Sequence, residues 1–283
     1  MAAWLQQAWS VVLQLLPEAW SVYWPNLPLI AVFLLLERWR PIEPGQPWRP
    51  VWFNFAWYSG VVFMVFVFTL SPWGAWILKA AHIFGPPLLP PSDSPAASAL
   101  RVALVLMVHD GLVYWGHRAM HATPFLWAIH RLHHDEEHVN ASTSLRQHWL
   151  SIPVHQLVVF LPVAWLFGLG AMSMTAFWVT AALGAFHHAN LRVELGWLTP
   201  LITGPQVHRV HHARAAELHD KNFASLFPLW DILFGTWHRP QPGEFRKTGL
   251  EGVPPSTQLL PAQVQPMADW WRAVVEAIKL HAA

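Results

Sequence analysis

Two copies of one pattern, His130-Arg131-Leu132-His133-His134 and His208-Arg209-Val210-His211-His212, lie far apart in a chain that is otherwise apolar and poor in charge. Each sets imidazoles at i, i+3 and i+4, a spacing that on a helix gathers side chains on one face and aims them at a common point. His117 and His121 form a third cluster at i, i+4, just after His109 and Asp110. Together the three clusters supply eight imidazoles. A tetrahedral metal takes four ligands, so this supply fits two metal ions held between helices better than one. A low-complexity histidine tract would be contiguous, whereas here one pattern recurs in two separated places.

The available donors are nitrogen and oxygen only. The absence of cysteine excludes disulfides, thiolate zinc, iron–sulfur clusters and a cysteine nucleophile. Imidazole sites suit redox metals that bind O2 and keep positions open for it. A dinuclear centre of this kind can remove hydrogen from unactivated C–H bonds, chemistry that no side chain performs alone. Hydrolytic zinc needs about three protein ligands, fewer than this chain offers. No Ser-His-Asp order, nucleophile elbow, phosphate-binding glycine loop or dinucleotide fingerprint is present.

His109 stands about 12 Å along a helix axis from His117, too far to share its metal. With Asp110 it is the candidate catalytic pair, orienting ligands or lining a substrate channel, because ionisable residues inside membrane helices are costly and usually functional. His187 and His188 add a further imidazole, one of them a ligand. Asp110, Asp135, Glu136, Glu137, Asp220 and Asp231 are the carboxylates placed to orient imidazoles, and Glu136 and Glu137 read alternatively as a solvated acidic turn. His82, His138, His148, His155, His238 and His281 lack the cluster spacing and read as surface or packing residues.

The elements that position these groups must be helices in a membrane. Charged residues make up 12% of the chain, about half the usual share, while 54% is hydrophobic and tryptophan numbers 20. The net charge of +1 gives no basic stripe for nucleic acid. The expected fold is all-α, with about three spans and a helical hairpin beneath a cytoplasmic, histidine-rich cap that holds a dimetal site. Roughly twenty apolar residues cross a bilayer; the spans are Trp20 to Leu36, extended upstream by amphipathic Val11 to Leu16, then Trp52 to Ile77, ending near the Ser71-Pro72 break with Trp73 and Trp76 at the interface, then Ala97 to Trp115. Ile152 to Phe186, with Gly168 and Gly170 at its centre, reads as the hairpin. Arg38, Arg40 and Arg49 put the first loop in the cytoplasm, which brings every histidine cluster to that same side. Met1 to Pro17 carries no Lys or Arg and so lacks the start of a cleavable signal peptide; it is expected to be retained. The organisation expected is 1–96 as N-terminal membrane helices, 97–238 as the catalytic region and 239–283 as an extended Pro-rich segment, Pro240 to Pro261, followed by an amphipathic helix over Ala268 to Leu280. Trp115, Trp127, Trp149, Trp230 and Trp237 read as interface anchors.

From His109 to Thr236 the strings HDGLVYWGHRAMH, LWAIHRLHHDEEHVNASTSLRQH, FHHAN and HRVHHARAAELHDKNFASLFPLWDILFGTW resemble the fatty acid hydroxylase and sterol desaturase superfamily of integral-membrane di-iron oxidoreductases. The resemblance implies ligand roles for His117, His121, His130, His133, His134, His208, His211 and His212, with His188 as a ninth. It implies two iron ions, O2 as co-substrate, a membrane lipid substrate, an electron donor protein or small reductant, and a bacterial inner-membrane or ER-type location. Hydroxylation is the activity implied, with desaturation on the same site as the alternative. Asn140-x-Ser142-Thr143-x-x-Arg146 and Asp220-Lys221-Asn222-Phe223 look most like the alkylglycerol monooxygenase branch and its bacterial relatives. The animal enzymes of that branch use tetrahydrobiopterin, but Ala122 stands where the branch carries Glu, so the resemblance leaves the reductant open. A non-catalytic metal transporter would string imidazoles along a crossing path instead of gathering them at one face. A bis-histidine haem carrier would need only two.

Overall fold

The structure, a computed structural model, describes residues 26–83, 85–168 and 174–281. The expectations for Val11 to Leu16, for Met1 to Pro17, for the first part of the Trp20 to Leu36 span and for Gly170 fall outside the described residues. Among the described residues every named element is a helix.

Three helices come first: α1 (Asn26–Leu36), α2 (Trp48–Leu70) and α3 (Pro72–Ala81). The span expected over Trp52 to Ile77, ending near the Ser71-Pro72 break, divides at that break into α2 and α3. Ser71 is extended, at φ −80° and ψ 169°, and Pro72 opens the next helix. A residue before proline is driven out of the helical region, and proline, without an N–H, fits a first turn. Then α4 (Pro95–Ala122) runs for 28 residues, and it and the 23-residue α2 are the two described helices long and apolar enough to cross a membrane. Thr123 ends α4 and Pro124 starts α5 (Pro124–His134), which turns the chain sharply back at the histidines.

The expected hairpin forms from α6 (Ser151–Phe167) and α7 (Met174–His188). Gly168 ends α6 at φ +90°, a conformation that costs glycine nothing because it has no Cβ. Within α6 the stretch Gln156–Phe160 is a π-helical turn. Pro162, next in line, lacks the N–H that would bond Val158 in a regular α-helix. Val105 and Leu106 of α4 pack against Val159, Val163 and Phe167 of α6 and Ala176 of α7, the core that fixes the hairpin against the long helix.

Two short helices follow, α8 (Pro205–His211) and α9 (Leu229–Phe234), and then α10 (Leu259–His281). This last helix starts well before Ala268, inside the stretch expected to be extended. Pro261 falls in its first turn, where a missing N–H is harmless. It lies along α5, joined by Arg131 to Asp269 at 2.9 Å, and Trp149, just before α6, donates from Nε1 to its Gln263 Oε1 at 2.6 Å.

Candidate metal centre

The C-terminal ends of α4, α5 and α7 meet α8, and their imidazoles converge there in two groups. His117, His121, His130, His134 and His211 form one; His133, His188, His208 and His212 form the other. Within each group the nearest ring nitrogens all lie within 4.8 Å of one another. The structure thus brings together all nine histidines named as ligands from the sequence, but not as one face per triplet. In the first triplet His130 and His134 go to the five-membered group and His133 to the other; in the second, His208 and His212 go to the four-membered group and His211 crosses over. Positions i+3 and i+4 differ by roughly 100° around a helix, so a triplet wedged between two points serves both. The groups touch through His134 and His212, whose rings stack at 4.4 Å.

The contacts between nitrogens show what these groups can hold. In the five-histidine group Nε2 of His117 lies 3.0 Å from that of His130, His130 lies 3.1 Å from His134, and His134 lies 3.2 Å from His121. In the other, Nε2 of His188 is 3.1 Å from that of His133 and 3.0 Å from that of His208, which is 3.1 Å from that of His212. The proton of His117 sits on Nδ1, donated to Phe223 O at 2.8 Å, and that of His188 on Nδ1, donated to Gly184 O at 2.8 Å. The His121 Nδ1 faces Asp220 Oδ1 at 3.3 Å. The Nε2 atoms of these three are therefore lone pairs. One imidazole nitrogen offers one proton or one lone pair, so hydrogen bonds can account for at most two of the three contacts in either group. A cation at the common point accounts for all of them. His211 Nε2 is likewise buried without a hydrogen-bond partner. Burial pushes His130, His133, His134, His208, His211 and His212 well below the ordinary imidazole value, which leaves them neutral, the form a metal requires.

One loop backs the five-histidine group. Asp220 Oδ1, Lys221 O and Phe223 O face Nδ1 of His121, His211 and His117, respectively. To present them in so few residues the chain puts two non-glycine residues in the left-handed region, Asp220 at φ +58° and Asn222 at φ +55°, a cost of about 1 kcal/mol or more each. The Asn222 side chain offsets it by donating to Val207 O and His238 O and accepting from His238 N. Further on, Asp231 accepts from the amides of Phe223 and Ala224, and Asp110 accepts from those of Ser225, Leu226 and Phe227. Both oxygens of Asp110 are engaged by backbone, so it holds the loop that orients His117. Gly111, beside it, lets the Trp230 indole lie against α4, where a Cβ would come within 2.8 Å of the ring. His109 also stands away from both groups, its ring 6.0 Å from that of His155.

Other expectations change as well. Glu136 is not part of a solvated turn: it is 1% exposed, bonds the amide of His138 and lies 3.8 Å from Arg146. Its neighbour Glu137 pairs with Arg214 at 2.5 Å on a half-buried surface. Trp127 is no simple interface anchor, with its ring 5.0 Å from His121 and 5.4 Å from His134. Two further buried charged groups hold backbone around the site. Buried Arg146 bonds Leu132 O and Asp135 and so fixes the end of α5. Buried Glu37 accepts from the amides of Ala141 and Asn190, and desolvation raises its pKa to about 7. The one available signal was a charged residue within or beside an apolar run.

A cavity of about 660 Å³ opens from the centre. His117 and His130 of one group and His133, His188 and His208 of the other form its floor, and apolar residues of α2, α3, α4 and α6 form most of its walls. His187 lies on the same wall, its ring 4.1 Å from that of His208.

Residues 102–236 match the fatty acid hydroxylase family model. The chain is 34% identical over 152 residues to an alkylglycerol monooxygenase of Danio rerio, a match covering 51% of this chain and 32% of the relative. It is 26% identical over 244 residues to an ornithine lipid hydroxylase of Rhizobium tropici, covering 80% and 70%. It is 29% identical over 155 residues to a methylsterol monooxygenase of Arabidopsis thaliana, covering 51% and 52%. Its match spans about a third or less of the length of the alkylglycerol monooxygenases. No solved structure matches.

Proposed function

From the match of residues 102–236 to the fatty acid hydroxylase family model, we propose that the protein is an O2-dependent oxidoreductase that hydroxylates a C–H bond in an acyl, alkyl or sterol-like part of a membrane lipid. The observation that carries this reading is the opening of both histidine groups onto one largely apolar cavity. On this reading His117, His121, His130, His134 and His211 hold one iron ion, and His133, His188, His208 and His212 hold the second. Bound there, the two ions supply O2 activation, with electrons from a separate donor protein or small reductant.

The chain's own residues do the rest. Apolar side chains of α2, α4 and α6 seat the lipid chain and exclude water from the reacting carbon. Phe223 O and Gly184 O keep the protons of His117 and His188 on Nδ1, so that both rings meet the metals as neutral Nε2 donors. In the bilayer, α2 and α4 cross; α1 and the α6–α7 hairpin complete the membrane part; the histidine end faces the cytoplasm beside Arg118, Arg131 and Arg146. Residues 97–238 are the catalytic unit, and 239–283 cover its cytoplasmic side.

The test is lipid mass spectrometry of cells expressing the protein under heavy-isotope O2, beside cells expressing a His133→Ala, His212→Ala double variant. A labelled lipid present only with the unaltered protein is the expected result. Loss of two hydrogens without label would move the activity to desaturation. A lipid profile identical in both, from a protein shown to carry both metals and given a reductant, would overturn the oxidoreductase reading in favour of metal binding or transport.

A further inference from the structure

One stretch of the cavity wall is polar without serving the histidine groups. Val154, His155, Gln156, Val158, Val159 and Phe160 of α6 all face the cavity. On a regular α-helix, turning roughly 100° per residue, that run would sweep through more than a full circle. A π turn widens the helix over Gln156–Phe160 within that run, a distortion that recurs at functional sites. Two hydroxyls on the wall are satisfied locally: Thr69 donates to Val65 O at 2.8 Å and Ser151 to His148 O at 2.5 Å.

His155 and Gln156 differ from them. The His155 side chain is exposed on the wall and makes no hydrogen bond among the described residues. Gln156 accepts through Oε1 from Trp73 Nε1 at 2.7 Å. That bond fixes the amide and leaves its NH2 without a partner among the described residues. Behind His155, at 6.0 Å between rings, His109 has a buried Nδ1 with no partner. Two unmatched polar groups on the wall of a largely apolar cavity, with a third behind them, are costly until something bonds them.

We propose that this patch recognises a hydrogen-bonding oxygen, whether hydroxyl, carbonyl or ester, carried within the lipid chain about 12 Å from the carbon that faces the metals. The distance is the axial separation of His109 from His117 on α4. The Gln156 amide donates to that oxygen, and His155, backed by His109, donates or accepts according to tautomer. The site thereby selects chains already oxygenated at mid-length over plain saturated chains. This rests on the proposed function only in taking the cavity as the lipid's seat.

The experiment measures binding, not turnover. Metal-loaded protein in nanodiscs is titrated with stearate, with stearate hydroxylated at mid-chain and with its mid-chain keto analogue. The unaltered protein should bind the oxygenated chains about five- to tenfold more tightly than stearate. A His155→Leu, Gln156→Leu double variant should lose the preference while keeping its stearate affinity and metal content. Gln156→Glu, which can only accept, should keep the hydroxylated chain and reject the keto chain, a pattern that damage to the fold would not produce. Equal binding of all three chains by the unaltered protein, or a preference that survives in the double variant, would overturn the proposal. Failure to bind any of them would instead overturn the lipid-cavity reading beneath it.

Discussion

The two histidine groups differ in what surrounds them more than in what they contain. The five-histidine group has three of its rings backed through Nδ1 by one rigid loop, and two of its five on the cavity floor. The four-histidine group has three of four on that floor, and among the described residues His188 is its member with an acceptor behind Nδ1. The Nδ1 atoms of His133, His208 and His212 are buried without partners. More ligands and firmer backing suit a metal that stays; fewer ligands and a wide cavity face suit one that keeps a position free for chemistry. The lesson is that two groups built from the same side chain, and from the same two triplets, can differ in the acceptors behind their rings and in the side on which they open.

The sharpest way to break this comparison is His208→Ala. It should remove the four-histidine metal, lowering content from about two ions per chain to about one, and abolish lipid oxidation in a protein that still inserts in the membrane. Metal analysis beside product detection checks both parts, and retained turnover would contradict the assignment. Next in size, a chelator titrated against the loaded protein should extract metal in two stages, with the four-histidine ion leaving first; a single stage would make the groups equivalent. Asp220→Ala should weaken the five-histidine ion by about 10- to 100-fold and leave the other unchanged, because an acceptor behind a ligand imidazole is worth about that much. Equilibrium competition with a metal indicator separates the two affinities.

The smallest effect lies outside both groups. Glu37 holds its proton to about pH 7 in the folded chain, against an ordinary value of 4.5. Between those values the folded state binds more protons than the unfolded state, so this residue makes stability fall as pH rises across that window, with no further change above it. Glu37→Gln keeps an oxygen for the Ala141 and Asn190 amides and removes the ionisation. It should flatten the melting temperature between pH 4.5 and 7 and raise stability by about 1–3 kcal/mol at pH 8. An unaltered pH profile would mean that Glu37 ionises normally.

The histidines that the structure groups were legible in the sequence, since spacing at i, i+3 and i+4 is a local property and His117, His121 and the two triplets announce it. How they are shared was not. Which way His133 or His211 points depends on where α5 sits relative to α8, a matter of tertiary packing. The hairpin could be read from apolar length and Gly168, and the break at Ser71-Pro72 from the proline, which acts locally on the residue before it. Asp110 shows the limit most clearly. A buried carboxylate beside histidines in a membrane helix suggests chemistry, but its partners are amides from more than a hundred residues later, which no local pattern reveals.

The splitting of each triplet has a mechanical consequence. Because α5 and α8 each send rings to both groups, a pair of bound ions would staple these two short helices to each other and to the ends of α4 and α7. Neither helix could slide or rotate without straining two coordination spheres at once. A helix of 7 residues such as α8 is marginal by itself, and here its position would be set by cross-links that close long loops of chain. Metal uptake would then be the last step of folding as well as the first step of catalysis.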